Sequence, residues 1–205
     1  MIRSYEELDE RQLDMLREIG NIGAGNAATS LSVLLDEGVH ISIPRVRIED
    51  YGGVVGAIGD PESLSVGILI HFEGEVKGMV LFLIAFEDAK EIAHILVGRR
   101  EDDEPVGLSE MKLSMIKEIG NILTSAYLGS IGMLTDLRFE ISVPYAAIDM
   151  TGALLAAPMV EFSVDDAHIL FIEESFRTET RSLRSHVILF SDIASINVMM
   201  ERLGF

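Results

Sequence analysis

Hydrophobic residues recur at three- and four-residue spacing in two long stretches of the chain. Leu13, Leu16 and Ile19 show this spacing, and leucine or isoleucine again occupies the positions 100 residues later. A helix with one buried face needs this periodicity. The helices predicted from the periodicity and from end signals cover residues 4–35, 88–97, 109–133 and 192–204.

Shorter stretches alternate between hydrophobic and polar residues. Val39 and Ile41, for example, alternate with His40 and Ser42. A period of two predicts half-buried strands, and Pro44 marks an end, a bulge or an edge of the first one. The predicted strands cover residues 39–48, 64–72, 76–86, 138–143, 159–164, 168–173 and 185–190, and the predicted turns cover 51–53 and 60–61. Short hairpin connections between these strands favour an antiparallel sheet.

The chain also repeats itself with a displacement of 100 residues. The string Glu-Ile-Gly-Asn-Ile occurs twice, and 13 of the 32 residues in 13–44 are identical to their counterparts in 113–144. A repeat of this length indicates a duplicated fold rather than a short-period solenoid. We therefore predict an α/β fold of the α+β type, internally duplicated, with pseudo-twofold symmetry. Its largely antiparallel sheet would carry packed helices, with one exposed active-site helix in each half.

The boundary between the repeats is predicted near the middle of the chain. Gly98 is expected to stop a helix, and the charged stretch 99–107, which contains Pro105, has the composition of a linker. The first repeat would then be residues 1–105 and the second 106–205, together forming one compact domain. A chain of 205 residues with 48% hydrophobic residues can build its core without disulfides or metal.

Composition and charge narrow the classes of function. The formal net charge is -18 and there is no cysteine, which excludes thiol chemistry and argues against binding to nucleic acid. The N-terminus, residues 1–7, is acidic where a signal peptide would be basic. The longest hydrophobic run, residues 79–86, is far shorter than the ~20 residues that cross a bilayer. We therefore expect a cytoplasmic protein with no membrane partner.

Each of the two long predicted helices carries a polar stripe at a spacing of four and then three residues. Asp14, Glu18 and Asn21 share this spacing, which puts them on one face that should point to solvent. Two interpretations remain open. The duplicated pattern could be an inherited packing motif, which explains its isoleucines and glycines. Alternatively, an exposed Glu/Asn pair could complete the active site of another protein, since a carboxamide orients water and a carboxylate binds a cation.

Three other features of the sequence have simpler explanations than a functional site. Residues 23–28 imitate a dinucleotide-binding fingerprint, but they lie inside a helical pattern, which favours packing of small residues. The five histidines have no metal-ligand spacing. Arg177, Arg181 and Arg184 form a basic cluster, and a solvated hairpin loop is favoured over a docking site for them.

One frame of four residues occurs twice at identical spacing, as Asp14, Glu18, Asn21 and Pro44, and as Ser114, Glu118, Asn121 and Pro144. This frame resembles that of the CheC/CheX/FliY family of chemotaxis phosphatases, and the resemblance covers nearly the whole chain. It implies a phosphatase that removes the phosphoryl group from an aspartate of the response regulator CheY.

The resemblance also implies roles for individual residues. Asn21 and Asn121 would orient the attacking water, and Glu18 and Glu118 would hold a lysine of the receiver. Supporting roles would fall to Asp14, Ser114, Pro44 and Pro144. Mg²⁺ would be supplied by the response regulator, so the chain would have no cofactor or metal of its own. The receptor deamidase CheD is implied as a second partner. The alternative is a non-catalytic adaptor that docks CheY-like receivers or CheD.

Overall fold

A computed structural model describes residues 2–42, 45–97, 108–162, 169–177 and 182–205. The first half contains α1 (Glu10–Leu35), β1 (His40–Ile41), β2 (Arg45–Glu49), α2 (Tyr51–Ile58), β3 (Leu64–Gly74), β4 (Gly78–Ala85) and α3 (Phe86–Val97). The second half contains α4 (Glu110–Thr135), β5 (Phe139–Ile141), β6 (Tyr145–Met150), α5 (Thr151–Phe162), β7 (Ile169–Arg177), β8 (Ser182–Ser191) and α6 (Ile193–Arg202). The order helix, two strands, helix, two strands, helix therefore occurs twice.

The described strands form one sheet with internal symmetry. Their order is β1-β7-β8-β4-β3-β5, with β2 also paired to β7 and β6 also paired to β3. Every strand pair among the described residues is antiparallel. Exchanging the two halves converts this order into itself, because β4 and β8 lie side by side at the centre. The predicted fold class, a duplicated α/β protein with a largely antiparallel sheet, is confirmed.

The edge strands pair across the two halves rather than within them. β1 and β2 of the first half pair with β7 of the second, and β5 and β6 pair with β3 of the first. The registers correspond as well: His40 lies opposite Arg177, and its counterpart Glu140 lies opposite Glu73. Each half therefore completes the sheet of the other.

Helices cover both faces of this sheet. Alternate residues of β4 point to opposite faces, as the period of a strand requires. Phe82 belongs to a large core that includes residues of α1, α3, α4 and α6. Met79 and Leu81 belong to a smaller core with Val54 of α2 and Leu155 of α5. The long helices α1 and α4 thus share one face of the sheet.

The predicted turn at residues 51–53 is wrong, because these residues begin α2. The Gly-Gly pair suggested a turn, but Asp50 caps the helix by accepting a hydrogen bond from the Gly53 amide at 2.7 Å. Val54 of this helix is fully buried. Burial against the sheet and a good cap therefore outweigh the poor helix propensity of glycine.

The predicted strand at residues 159–164 is also wrong. Residues 159–162 are the last turn of α5, and residues 163–168 lie outside the described part of the chain. Pro158 is inside this helix, and a proline normally ends a helix. The side chains of Leu154 and Leu155 are buried, so packing on the sheet keeps the segment helical.

The remaining predicted elements are present with shifted bounds. The first long helix begins at Glu10 after a short 3-10 helix, Tyr5–Glu7, and Asp9 forms a capping box with Gln12. The strand predicted at 138–143 is shorter, and β6, which follows Pro144, was not predicted. The predicted helix stop at Gly98, the linker at 99–107 and Pro44 lie outside the described residues.

The N-terminal segment is attached to the second half. The backbone of Ile2 donates to Asn197 Oδ1 at 2.7 Å and accepts from Asn197 Nδ2 at 2.7 Å. Tyr5 Oη donates to the Ser191 carbonyl at 3.0 Å. Tyr5 is buried, and this burial raises the pKa of its hydroxyl well above the usual range. The two ends of the chain are therefore held together.

Candidate functional site: two exposed Glu/Asn stripes

The helices α1 and α4 lie against each other through a glycine contact. A side chain at Gly23 would place its Cβ 2.7 Å from Cδ1 of Tyr127 on α4, so only glycine fits there. Of the small residues at 23–28, which lie within α1, Gly23, Ala24 and Ala27 are buried, whereas Gly25 is exposed. The packing explanation for the apparent dinucleotide fingerprint is confirmed.

The glycines of the repeated string also serve packing. Gly120 faces the sheet, where an added Cβ would lie 2.8 Å from Cγ2 of Ile68. Gly20 is buried and borders an apolar cavity of about 30 Å³ between the helices and the sheet. The neighbouring Ile19 and Ile119 are buried too. These residues fix how each helix is rotated on the sheet.

This rotation turns the polar residues outward. We call Asp14, Glu18 and Asn21 the first stripe, and Ser114, Glu118 and Asn121 the second stripe. All three residues of the first stripe are exposed. In the second stripe Ser114 and Glu118 are exposed and Asn121 is half-buried. The expectation of an outward-facing stripe is confirmed for the first stripe and for Ser114 and Glu118 of the second, whereas Asn121 is partly covered.

The Glu and Asn side chains are available for a partner. Within the described residues, Glu18, Asn21, Glu118 and Asn121 make no side-chain hydrogen bond or ion pair. Asp14 differs, since Arg17 Nη1 donates to its Oδ1. Polar groups that are exposed and unpaired can engage another molecule without first breaking an internal contact.

An open groove lies beside the first stripe. Asn21, Gly25 and Ala28 form its helical side, and His40 and Ile41 of β1 form the opposite side. The sequence alone does not connect His40 with Asn21, because their shared groove depends on how the chain turns after α1.

The two prolines of the frame are placed differently. Pro144 is half-buried between β5 and β6, beside Val143, which is 84% exposed. Pro44 lies outside the described residues. Among the described residues, no three His, Asp or Glu side chains are grouped so that they could hold a metal ion.

The chemistry of such a stripe is limited. A carboxylate and a carboxamide separated by one helical turn offer hydrogen-bond donors and acceptors and one negative charge. Neither group is an activated nucleophile, because no neighbouring base or cation is paired with it. The stripe can therefore orient a water molecule and bind a cation, and the reacting group must come from another molecule.

Comparison with protein families also finds the duplication of the site. The model of the CheC-like family matches the chain twice, over residues 12–48 and 111–146, and each match contains one stripe. Both halves of the chain are thus similar to the CheC-like family.

Relatives and a solved structure extend this result over the whole chain. The CheY-P phosphatase CheC of Bacillus subtilis is 29% identical over 203 residues, which cover 98% of this chain and 97% of that protein. The flagellar motor switch phosphatase FliY of the same organism is 29% identical over 70% of this chain and 37% of its own length. The crystal structure of Thermotoga maritima FliY has the same fold, with a TM-score of 0.75 at 24% identity, covering 96% of this chain and 98% of that one.

No helix in the described part of the chain has the length and hydrophobicity needed to cross a membrane.

Proposed function

We propose that this chain is a phosphatase that removes the phosphoryl group from the aspartate of a CheY-type response regulator. The observation that carries the proposal is the pair of equivalent stripes, each with an unpaired Glu and Asn, of which Glu18, Asn21 and Glu118 are exposed and Asn121 is half-buried. The similarity to a full-length relative named as a CheY-P phosphatase supports it. Hydrolysis of an aspartyl phosphate depends mainly on positioning and on charge stabilisation, which exposed polar side chains can supply.

In this proposal Asn21 and Asn121 orient the water that attacks the phosphorus. A carboxamide accepts one hydrogen bond from the water and can donate to the phosphoryl oxygens at the same time. Each Asn projects from a helix fixed by packing, so the water is held in line without a large loss of entropy in the reaction step. Asp14 and Ser114, one turn before Glu18 and Glu118, support contacts to the partner.

In this proposal Glu18 and Glu118 bind the receiver and fix its position relative to the helix. A carboxylate that binds a lysine of the receiver forms a charge-assisted hydrogen bond. Glu and Asn are three residues apart and therefore adjacent on the helix surface. The lysine contact would fix the position of the Asn relative to the phosphoryl group. Pro44 and Pro144 are proposed to support the segments that follow the two helices.

Two further parts of the proposal rest on the resemblance to the CheC family: the source of the metal ion and a second binding partner. Mg²⁺ is bound by the receiver, whose own residues hold it beside the phosphoryl group. CheD, a receptor deamidase, is proposed as a second binding partner. Size-exclusion chromatography of the chain with purified CheD tests this second part independently of the phosphatase assay.

The phosphatase proposal is tested by phosphate release from phosphorylated CheY with and without this chain. We expect faster release, and we expect that replacing both Asn21 and Asn121 by Ala slows it by on the order of 100-fold or more. Each single variant should retain measurable activity through the other stripe. Binding of phosphorylated CheY without faster release would instead favour the adaptor alternative.

A further inference from the structure

An exposed glycine, Gly25, lies in the interior of α1, one turn after Asn21. The backbone at Gly25 is ordinary α-helix, so no positive φ requires glycine there. A Cβ at Gly25 would meet no atom of the described chain within 4 Å, so internal packing does not require glycine either. In a helix interior only proline is less favourable than glycine, and a glycine is commonly used where a ligand must approach the backbone closely.

The position of Gly25, rather than its residue type alone, connects it with the first stripe. Gly56 of α2 and Gly129 of α4 are also exposed and have open space beside them. Gly25 differs because it follows Glu18 by seven residues and Asn21 by four, which places all three on one row of the helix surface. Gly25 also borders the groove that contains Asn21.

The two walls of this groove are linked by Ser32. Its hydroxyl donates to the Ala28 carbonyl of α1 at 2.8 Å and accepts from the Val39 amide, just before β1, at 2.9 Å. Because one hydroxyl holds both walls, the groove of about 420 Å³ beside Asn21 keeps its width without a partner. The counterpart of Ser32 in the second half is Gly132, which has no side chain to make these bonds.

The surface beside the second stripe carries larger side chains. Ser125 occupies the position that corresponds to Gly25, and it is exposed. Leu128 occupies a position where the first half has an alanine. Asn121 is half-buried, whereas Asn21 is exposed. The stretch of bare helix backbone beside the Asn is therefore a feature of the first stripe.

The short side chain of Asn limits how far a partner can lie from the helix. The carboxamide is attached directly to Cβ, and a hydrogen bond to it spans only about 3 Å. Residues four apart on a helix have Cβ atoms about 5–6 Å apart. A long side chain at position 25 would therefore stand between the partner and Asn21, and glycine at this position removes that obstacle.

We infer that Gly25 is a receiver-binding residue, at which a segment of the phosphorylated receiver next to its phosphoaspartate lies against the bare backbone of α1 and enters the groove beside Asn21. This inference rests on the proposed function. The receiver is the occupant because Asn21 must reach the phosphoryl group in that function, and Gly25 adjoins Asn21 on the same surface. Gly25 thus sets how closely the receiver approaches the first stripe.

The experiment uses two full-length reporters, each with one stripe disabled. The first reporter carries Glu118→Ala and Asn121→Ala, so that only the first stripe binds the receiver and acts on it. The second reporter carries Glu18→Ala and Asn21→Ala and measures the second stripe. Phosphate release gives kcat/KM for phosphorylated CheY, and CheY carrying beryllofluoride as a phosphoryl mimic gives the affinity.

Larger side chains at position 25 should weaken the first reporter in order of their size. Gly25→Ala should lower kcat/KM by about two- to fivefold and Gly25→Gln by about tenfold or more, because the added atoms hold the receiver away from the helix. The affinity for CheY with beryllofluoride should fall in the same order. The free energy of unfolding should rise in both variants, because alanine and glutamine favour a helix more than glycine does. A damaged fold cannot lower activity while raising stability.

The matched control consists of Gly56→Ala and Gly56→Gln in the first reporter. Gly56 is also an exposed helical glycine with open space, but α2 lies on the opposite face of the sheet from α1. Its variants should keep kcat/KM within about twofold, as expected for a distant site. Equal losses in the Gly25 and Gly56 variants would overturn the inference. An unchanged kcat/KM and affinity in the Gly25→Gln variant would overturn it as well.

Failure of the proposed function is distinguishable from failure of this inference. If neither reporter released phosphate, the phosphatase proposal would be contradicted, and the affinity for CheY with beryllofluoride would still measure the contact at Gly25. If both reporters were active but Gly25→Gln had no effect, only the role of Gly25 would be rejected. A first reporter that neither bound CheY nor released phosphate, beside an active second reporter, would overturn the inference, since the receiver would not use the first stripe.

Discussion

At the residue scale, the repeated Glu-Ile-Gly-Asn-Ile string divides into two functions. Its first isoleucine and its glycine are buried and hold the helix on the sheet, its second isoleucine is half-buried, and its Glu and Asn are turned outward. The helical period alone predicted this division, because the hydrophobic positions define the buried face. The groove with His40 could not be predicted in the same way, since it joins residues of a helix and of a strand whose packing depends on the connection between them.

The roles proposed for Glu and Asn are separable by kinetics. Replacing Glu18 and Glu118 by Ala removes a charged contact, so we expect weaker binding of phosphorylated CheY and a higher KM. Replacing Asn21 and Asn121 by Ala removes an interaction needed mainly in the transition state, so kcat should fall while binding is kept. The measurements are steady-state turnover and binding of CheY with beryllofluoride. Equal losses of binding and turnover in both double variants would refute the division of roles.

Two glycines of α1 should respond in opposite ways to alanine. A Cβ at Gly25 meets no atom within 4 Å, so Gly25→Ala should increase the free energy of unfolding by up to about 1 kcal/mol through helix propensity. A Cβ at Gly23 would lie 2.7 Å from the Tyr127 ring and 3.1 Å from the Tyr127 Cα. Gly23→Ala should therefore lower the free energy of unfolding by about 1–3 kcal/mol.

Urea denaturation of the two variants and the unaltered chain checks this pair. Each variant is the control for the other, because both replace glycine by alanine in the same helix. A destabilised Gly25→Ala protein would mean that the space beside Gly25 is filled.

At the element scale, the sequence predicted the long helices α1 and α4 and the shorter α3 and α6, but it missed α2 and α5. α1 and α4 extend over seven turns each, 26 residues apiece, so their periodicity is sampled many times. α2 has only 8 residues and begins with Gly-Gly after Tyr51, which resembles a turn. α5 contains Pro158, which resembles a break. Both helices are determined by burial against the sheet, a tertiary effect that local propensity does not contain.

The last helix, α6, depends on a charged N-cap. Asp192 Oδ1 accepts from the Ser195 amide at 2.7 Å, and Asp192 Oδ2 pairs with Lys77. Partial burial alone would raise the pKa of Asp192, but the hydrogen bonds from Ser195 and the charge of Lys77 outweigh it and hold the pKa below its usual range.

The cap should therefore make stability depend on pH. Because the pKa of Asp192 is lower in the folded than in the unfolded state, its charge stabilises the fold above the unfolded pKa of about 4, and this contribution is lost as the pH falls through the folded pKa. We expect Asp192→Ala to cost about 1 kcal/mol at pH 7. The difference from the unaltered chain should shrink as the pH falls below about 4. Urea denaturation at several pH values measures it, and a cost independent of pH would exclude the ionic contribution.

At the scale of the whole molecule, the duplication determines the symmetry but leaves the pairing of the halves open. A 100-residue repeat is equally consistent with two separate domains and with two halves that share a sheet. The structure has the second arrangement, since β1 and β2 pair with β7 and β5 and β6 pair with β3. The repeated sequence cannot distinguish these cases, because an edge strand has the same alternating pattern whichever neighbour it joins. The two stripes consequently belong to one continuous body.

This exchange of edge strands leads to an expectation for the isolated halves. A fragment of residues 1–105 would lack β7, the partner of β1 and β2, and would lack α4, against which Gly23 packs. It would also lose the contacts of Ile2 and Tyr5 with Asn197 and Ser191. We therefore expect neither 1–105 nor 106–205 to fold as a monomer.

A single half can fold only by supplying the missing strands from elsewhere. Because β3 and β7 occupy equivalent positions, two copies of 1–105 can complete each other's sheet, so the alternative to an unfolded fragment is a homodimer. Mixing 1–105 with 106–205 should restore the native circular dichroism signal and a complex of the mass of the intact chain. Size-exclusion chromatography with light scattering, combined with amide chemical-shift dispersion, distinguishes these species. A folded, monomeric 1–105 fragment would show that pairing across the halves is not needed for stability, and the phosphatase activity of that fragment would then measure the first stripe in isolation.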